Sequence, residues 1–245
     1  MHYVFDFSAI FQGEYPVWLL RGLVTTLALA GLAWILAFVV GSLLAVIRLT
    51  GSPTANALIS VYVAFHRNVP MLVLILFWYF GVPALLPQGI ADWLNEHGSE
   101  FILSCIAIGL VMSAYVCEDL RSAVRAIPAG QVEASRALGI RTLQRLRVIV
   151  IPQALRNIFP ALGNYALVLI KDSSLVAVIS VSELMRSGEM LAASTFQSLL
   201  VYTLVGAIYI LMCSVISYVF RRGEKSLSIP GYWDGTSESS DFSKA

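Results

Sequence analysis

Charge is what this chain most conspicuously lacks. Only 13% of its 245 residues are charged and 58% are hydrophobic, against roughly 25% and 45–50% in a soluble domain. The apolar residues gather in runs of about 20 or more, the length that crosses a ~30 Å hydrocarbon core at 1.5 Å per residue. A water-soluble domain of this size is excluded. Cysteine is sparse as well. Cys105, Cys117 and Cys213 lie in apolar stretches without metal-ligand spacing and read as small core residues. The histidines, His2, His66 and His97, stand alone, and no nucleophile–base set accompanies them. That argues against a membrane-embedded enzyme. No G-x-x-x-x-G-K-[ST] stretch occurs, so ATP, if used, is hydrolysed by another chain. No internal repeat is visible, which weakens the reading as an inverted-repeat secondary transporter. A cleavable signal peptide is not expected. The first apolar run, Gly22 to Ile47, is too long for one and has no Lys/Arg cluster before it.

What is present is an all-α membrane protein with about five transmembrane helices. The spans are expected at 18–47, 57–81, 101–125, 154–181 and 196–220, in a single domain covering 1–245. The second is interrupted by His66-Arg67-Asn68 and Pro70, and the fourth opens at Pro152 or Pro160. Thirteen of the sixteen Lys and Arg residues fall on one side of this arrangement; Arg21 and Arg186 fall on the other, and Lys171 lies within a span. The positive-inside rule then places the N-terminus outside and the C-terminus inside, which requires an odd number of spans. The polar segment 226–245 reads as a flexible tail.

The most informative stretch is the basic loop 126–152. Gln131-Val132-Glu133-Ala134-Ser135-Arg136-Ala137-Leu138-Gly139 leads on to Ile149-Val150-Ile151-Pro152. It reads as two short helices with Gly139 between them, because glycine takes the positive φ that ends a helix. Leu138, Ile140, Leu143 and Leu146 are ringed by Arg136, Arg141, Arg145 and Arg147. Such an amphipathic segment suits a groove on a partner or, more blandly, lipid headgroups.

This stretch resembles the EAA loop of ABC-importer permeases. Glu133, Ala134, Gly139, Ile149 and Pro152 fit that motif's spacing, with Ser135 where the family often has Ala and Ile151 where it has Leu. The resemblance runs from Leu23 to about Leu227 and includes His66-Arg67-Asn68-Val69-Pro70, Val116-Cys117-Glu118 and Lys171-Asp172-Ser173-Ser174-Leu175. It is similar to the polar amino-acid (histidine/glutamine/glutamate) branch, and most like glutamate/aspartate importer permeases. The resemblance implies a type I importer permease in the bacterial inner membrane, without catalytic residues, metal or cofactor of its own. Its partners would be two ATPase subunits that bind ATP and Mg, a second permease subunit, identical or different, and a periplasmic or extracellular solute-binding protein. Lipid would surround it, and nucleic acid would play no part. Glu133, Ala134, Ser135, Leu138, Gly139 and Ile140 would form the coupling contact with the ATPase.

Polar groups inside the spans mark the expected substrate path. A charge at a helix centre costs roughly 2.5–3.5 kcal/mol on insertion scales, so Lys171 and Asp172 should face a bundle interior or a polar cavity. Asn164, Lys171 and Ser174 share one helical stripe by their spacing. Lys171 suits a substrate carboxylate, and Asp172 suits an ammonium group or a brace between helices. Arg67 either snorkels to the headgroups or, in a kinked second span, faces the cavity. Glu118 is expected to pair with Arg121 at i+3, and Tyr62, Trp78 and Tyr79 to pack or sit at the interface.

Overall fold

Several breaks between helices fall at glycine or proline, which do not readily continue one. The structure, a computed structural model, describes residues 12–227. Its helices are α1 (Tyr15–Leu49), α2 (Pro53–Asn68), α3 (Met71–Leu85), α4 (Gln88–Glu96), α5 (Ser99–Arg125), α6 (Ala129–Ala137), α7 (Thr142–Ile179), α8 (Leu184–Thr195) and α9 (Ser198–Leu227). Gly51 at φ +77° separates α1 from α2, which Pro53 opens and the Ser52 hydroxyl caps. Gly98 at φ +83° opens α5, and Pro128 precedes α6.

Four helices, α1, α5, α7 and α9, are each long and apolar enough to cross a membrane; α2 and α3 pass that test only as a pair, bent by 109°. The expected continuous second span is therefore two helices. Pro70 has no N–H to continue the ladder and drives Val69 into extended backbone at φ −86°, ψ 131°. The fourth helix begins earlier than expected, at Thr142, and runs through both prolines. A wide turn accommodates Pro152: the Ile151 N–H reaches back five residues to the Leu146 carbonyl. The same device precedes Pro83, where the Val82 N–H bonds the Phe77 carbonyl. Two further helices were not anticipated. α4 occupies the acidic connection before α5, and α8 lies between the last two spans. Beyond Leu227, the expected tail lies outside the described residues.

The bundle is built on α1 against α5. The buried face of α1 carries Ala33, Ala37, Gly41 and Ala45 at four-residue intervals, a ridge of small side chains. Hydrocarbon gives apolar helices no reason to leave it for one another, so close packing of small residues supplies much of the attraction. The approach is tight: a Cβ on Gly41 would stand 2.7 Å from the Ser113 carbonyl and from Val116 Cβ, and one on Gly109 of α5 would stand 2.7 Å from Leu36. Leu20, Val24, Ile35, Val39, Leu43 and Val46 point outward on the opposite face of α1, as lipid-facing residues should.

This packing generates a stability prediction. Gly41→Val should destabilise the protein by about 1–3 kcal/mol, the usual range for overpacking. Gly31→Val, where an added Cβ meets nothing within 4 Å, should be nearly neutral. Thermal unfolding in detergent compares the two.

Candidate functional site

α6 ends in a Schellman turn that presents its side chains outward. The Gly139 N–H donates to the Arg136 carbonyl at 2.9 Å and the Ile140 N–H to the Ser135 carbonyl at 3.1 Å, with Gly139 at φ +71°. The glycine elbow expected here is thus present, but only the helix before it is short. From Thr142 the chain runs directly into the long α7, so the expected second short helix is the start of a span. Glu133, Ala134, Leu138 and Gly139 are exposed, and Leu138 and Leu143 each keep 79% of their surface open. Two leucines that open are out of place on a soluble loop and suit a partner's groove. Ser135 departs from the expected contact set. Its side chain is buried, with Oγ donating to the Val132 carbonyl at 2.7 Å, and Ile140 is half-buried. Gln153 of α7 donates to Gln131 of α6 at 2.8 Å.

A polar cavity of about 300 Å³ opens between α1, α2 and α5, lined by Arg48, Ser60, Arg67, Asn68, Tyr115 and Glu118. Ser60, Arg67 and Asn68 lie on one face of α2, while Ile59, Val63 and His66 on the adjoining face are buried. The Arg67 guanidinium sits 4.9 Å from the Tyr115 ring centroid, a cation–π contact. The expected Glu118–Arg121 pair is present, with Arg121 Nε at 2.8 Å, and Arg48 of α1 joins it as a second cation. Arg48 also donates to Ser60 Oγ at 2.8 Å, so this ion cluster ties α1 to both α2 and α5. On α7, Tyr165 donates to Asp119 at 2.5 Å and its ring lies 6.1 Å from Tyr115. Two guanidinium groups already match Glu118, and Arg67 over Tyr115 adds a further cation, so the wall suits a carboxylate group.

The other expected path residues do not line this cavity. Asn164 and Lys171 are exposed on α7 and Asp172 is half-buried. The helix tightens to a 3₁₀ form at Ser173, and Ser174 is half-buried there. Ser174 Oγ instead donates to the Lys171 carbonyl at 2.7 Å.

Sequence reasoning missed Glu183, whose side chain is completely buried. It caps α8 by accepting from the Arg186 N–H at 2.7 Å and the Met185 N–H at 2.9 Å. Its Oε2 also accepts from Tyr209 of α9 at 2.8 Å and Thr26 of α1 at 3.4 Å. The available signal was an acidic residue just before an apolar helix, the usual place for an N-cap. Gly22 belongs to the same joint, since a Cβ there would stand 2.4 Å from Ser187 Oγ.

Membrane-crossing helices, a polar cavity among them and an exposed capped helix at one end define a class: a helical transport subunit built to engage a partner. The family of binding-protein-dependent transport system inner membrane components matches residues 37–223, and the chain belongs to it. It is 32% identical over 228 residues to the glutamate/aspartate import permease protein GltJ of Escherichia coli (strain K12), covering 90% of this chain and 92% of that one. To the glutamine transport system permease protein GlnP of the same strain it is 33% identical, covering 92% and 99%. Among solved structures, it is similar to an amino acid ABC transporter crystallised with histidines, with a TM-score of 0.79, 30% identity, and coverage of 91% and 99%. The inward-facing MetNI methionine ABC transporter shares the fold at a TM-score of 0.67 and 21% identity, covering 89% of this chain and 100% of that one. The chain is therefore a multi-pass permease subunit of an amino-acid ABC importer of the inner membrane; it is not itself an enzyme, and a separate ATPase hydrolyses ATP.

The Glu183 joint yields a second prediction. Glu183→Ala leaves two backbone N–H groups and the Tyr209 hydroxyl without their acceptor and should cost about 1–3 kcal/mol. Ser182→Ala, at an exposed neighbour, should change little. Melting temperatures in detergent separate them.

Proposed function

We propose that this permease imports acidic amino acids, glutamate and aspartate, and that α6 is the coupling helix engaged by the ATPase. The observation that carries the coupling reading is the exposed face Glu133, Ala134, Leu138 and Gly139, held open by a Schellman turn. On this reading the basic end of the bundle is cytoplasmic and the N-terminus is outside. Two ATPase subunits bind ATP and Mg there, and a solute-binding protein delivers substrate from the other side. A second permease subunit of a different sequence completes the path around a pseudo-two-fold axis. ATP-driven closure of the ATPases then shifts both coupling helices and the permeases between inward- and outward-facing states.

Arg67 and Lys171 serve as carboxylate attractors along the path, with Asn164, Asp172 and Ser174 beside Lys171. Acidic substrates are supported by the likeness to a glutamate/aspartate permease. Glutamine is the competing reading, because a glutamine permease is equally similar. Uptake of labelled glutamate into vesicles, competed by aspartate and by glutamine, decides between them. Aspartate should compete and glutamine should not.

Leu138→Glu puts a charge on the face meant for a partner groove and should reduce copurification of the ATPase at least tenfold, as should charge reversal at Glu133. Retention of the full ATPase complement by both variants would refute the docking reading. Lys171→Met should lower glutamate uptake several-fold while the ATPase stays bound, and unchanged uptake would remove Lys171 from the path.

A further inference from the structure

α6 is joined to the cavity through α7 by polar contacts in series. Gln153 of α7 and Gln131 of α6 share an amide–amide hydrogen bond of 2.8 Å. Nearer the cavity, Trp34 of α1 donates through Nε1 to the Leu162 carbonyl at 3.1 Å. Gly163 rests against Phe220 of α9 so closely that an added Cβ would stand 2.9 Å from the ring. Tyr165 then donates to Asp119 of α5 at 2.5 Å, beside Tyr115, which carries Arg67 on its ring. Gln153 and Tyr165 are separated by roughly 18 Å of helix at 1.5 Å per residue. The stretch of α7 from Gln153 to Tyr165 thus has a tie at each end and a bearing between them.

The chemistry of the two end links distinguishes them from ordinary core packing. Apolar contacts slide with little directional preference, whereas a hydrogen bond loses strength steeply off its axis. The two glutamine side chains are half-buried, as are Tyr165 and Asp119, so neither link is needed to satisfy a deeply buried group. Asp119 adjoins Glu118, the carboxylate on which Arg48 and Arg121 converge. A displacement of α7 relative to α5 therefore acts on the wall of the cavity.

We propose that Gln131–Gln153 and Tyr165–Asp119 are the two positioning links that make α7 a lever, pivoting at Trp34, which transmits movement of α6 to the Arg67 cavity. This rests on the reading of α6 as the coupling helix. Movement of α6 pulls Gln153. The lever turns against α1 and α9, and Tyr165 draws Asp119 and the neighbouring ion cluster with it. Spatial continuity is not in itself coupling, so the test measures coupling directly.

The experiment uses the complete importer in proteoliposomes with its binding protein, and reads amino acid imported per ATP hydrolysed. Gln153→Leu, which keeps the side chain's bulk, should leave the melting temperature and the bound ATPase unchanged while that ratio falls about tenfold. Tyr165→Phe should lower it similarly. The Gln131→Leu/Gln153→Leu double variant should be no worse than either single one, as members of one link behave in a double-mutant cycle. A Gln131→Glu/Gln153→Lys pair, which rebuilds the link as an ion pair, should restore the ratio. An unchanged ratio in Gln153→Leu or in Tyr165→Phe overturns the proposal, as do independent losses that multiply in the double variant. Loss of the ATPase from Gln153→Leu also overturns it, because the pair would then belong to the docking seat. Failure of the docking reading itself shows separately, in ATPase copurification with Leu138→Glu.

Discussion

The close seating of α1 on α5 is the constraint on which the rest of the molecule depends. In lipid, apolar side chains are already solvated by hydrocarbon, so helices associate where their backbones approach closely enough for dense van der Waals contact. Ala33, Ala37, Gly41 and Ala45 permit that approach, and Leu36 fills the notch left by Gly109. Once the two helices are seated, Arg48 at the end of α1 comes into reach of Glu118 on α5. The cavity beside them, with Arg67 over Tyr115, follows from that register.

Polar groups in this bundle are concentrated at joints between helices. Glu183 gathers donors from α1, α8 and α9, and Glu118 gathers cations from α1 and its own helix. Each is an acidic side chain supplied with several hydrogen-bond partners, which is what a buried or half-buried polar group requires. These joints hold helices whose apolar surfaces would otherwise slide past one another. The function proposed above requires the bundle to pass between inward- and outward-facing states. Directional joints combined with smooth apolar contacts suit such a cycle, because rigid pieces can move as units.

Much of this was legible from residue order. Long apolar runs separated by polar turns announce membrane helices without any knowledge of packing. Gly139, flanked by a helical pattern on each side, announced the elbow because few residues tolerate its positive φ. The spacing of Glu118 and Arg121 announced their pair. Other features were illegible for physical reasons. Pro70 signalled an interruption, but an angle of 109° depends on what α2 and α3 pack against. Pro152 read as a helix start, yet a wide turn before it lets the helix pass through. Ser135 stood inside a motif of exposed residues, yet its side chain is buried and its hydroxyl bonds back to the Val132 carbonyl of its own helix.

The chain alone determined its solvent and its local grammar: membrane rather than water, helices rather than strands, and a glycine elbow in a basic loop. Those properties come from hydrophobicity and backbone preference, which act over a few residues and need no distant neighbour. Tertiary structure decided which side chains meet. Arg48 and Glu118, Tyr165 and Asp119, Gln131 and Gln153, and Glu183 with Tyr209 are partners because helix packing sets rotation and depth. Rotation of a helix about its own axis depends on the shape of the face opposite it, and one chain read residue by residue does not contain that shape.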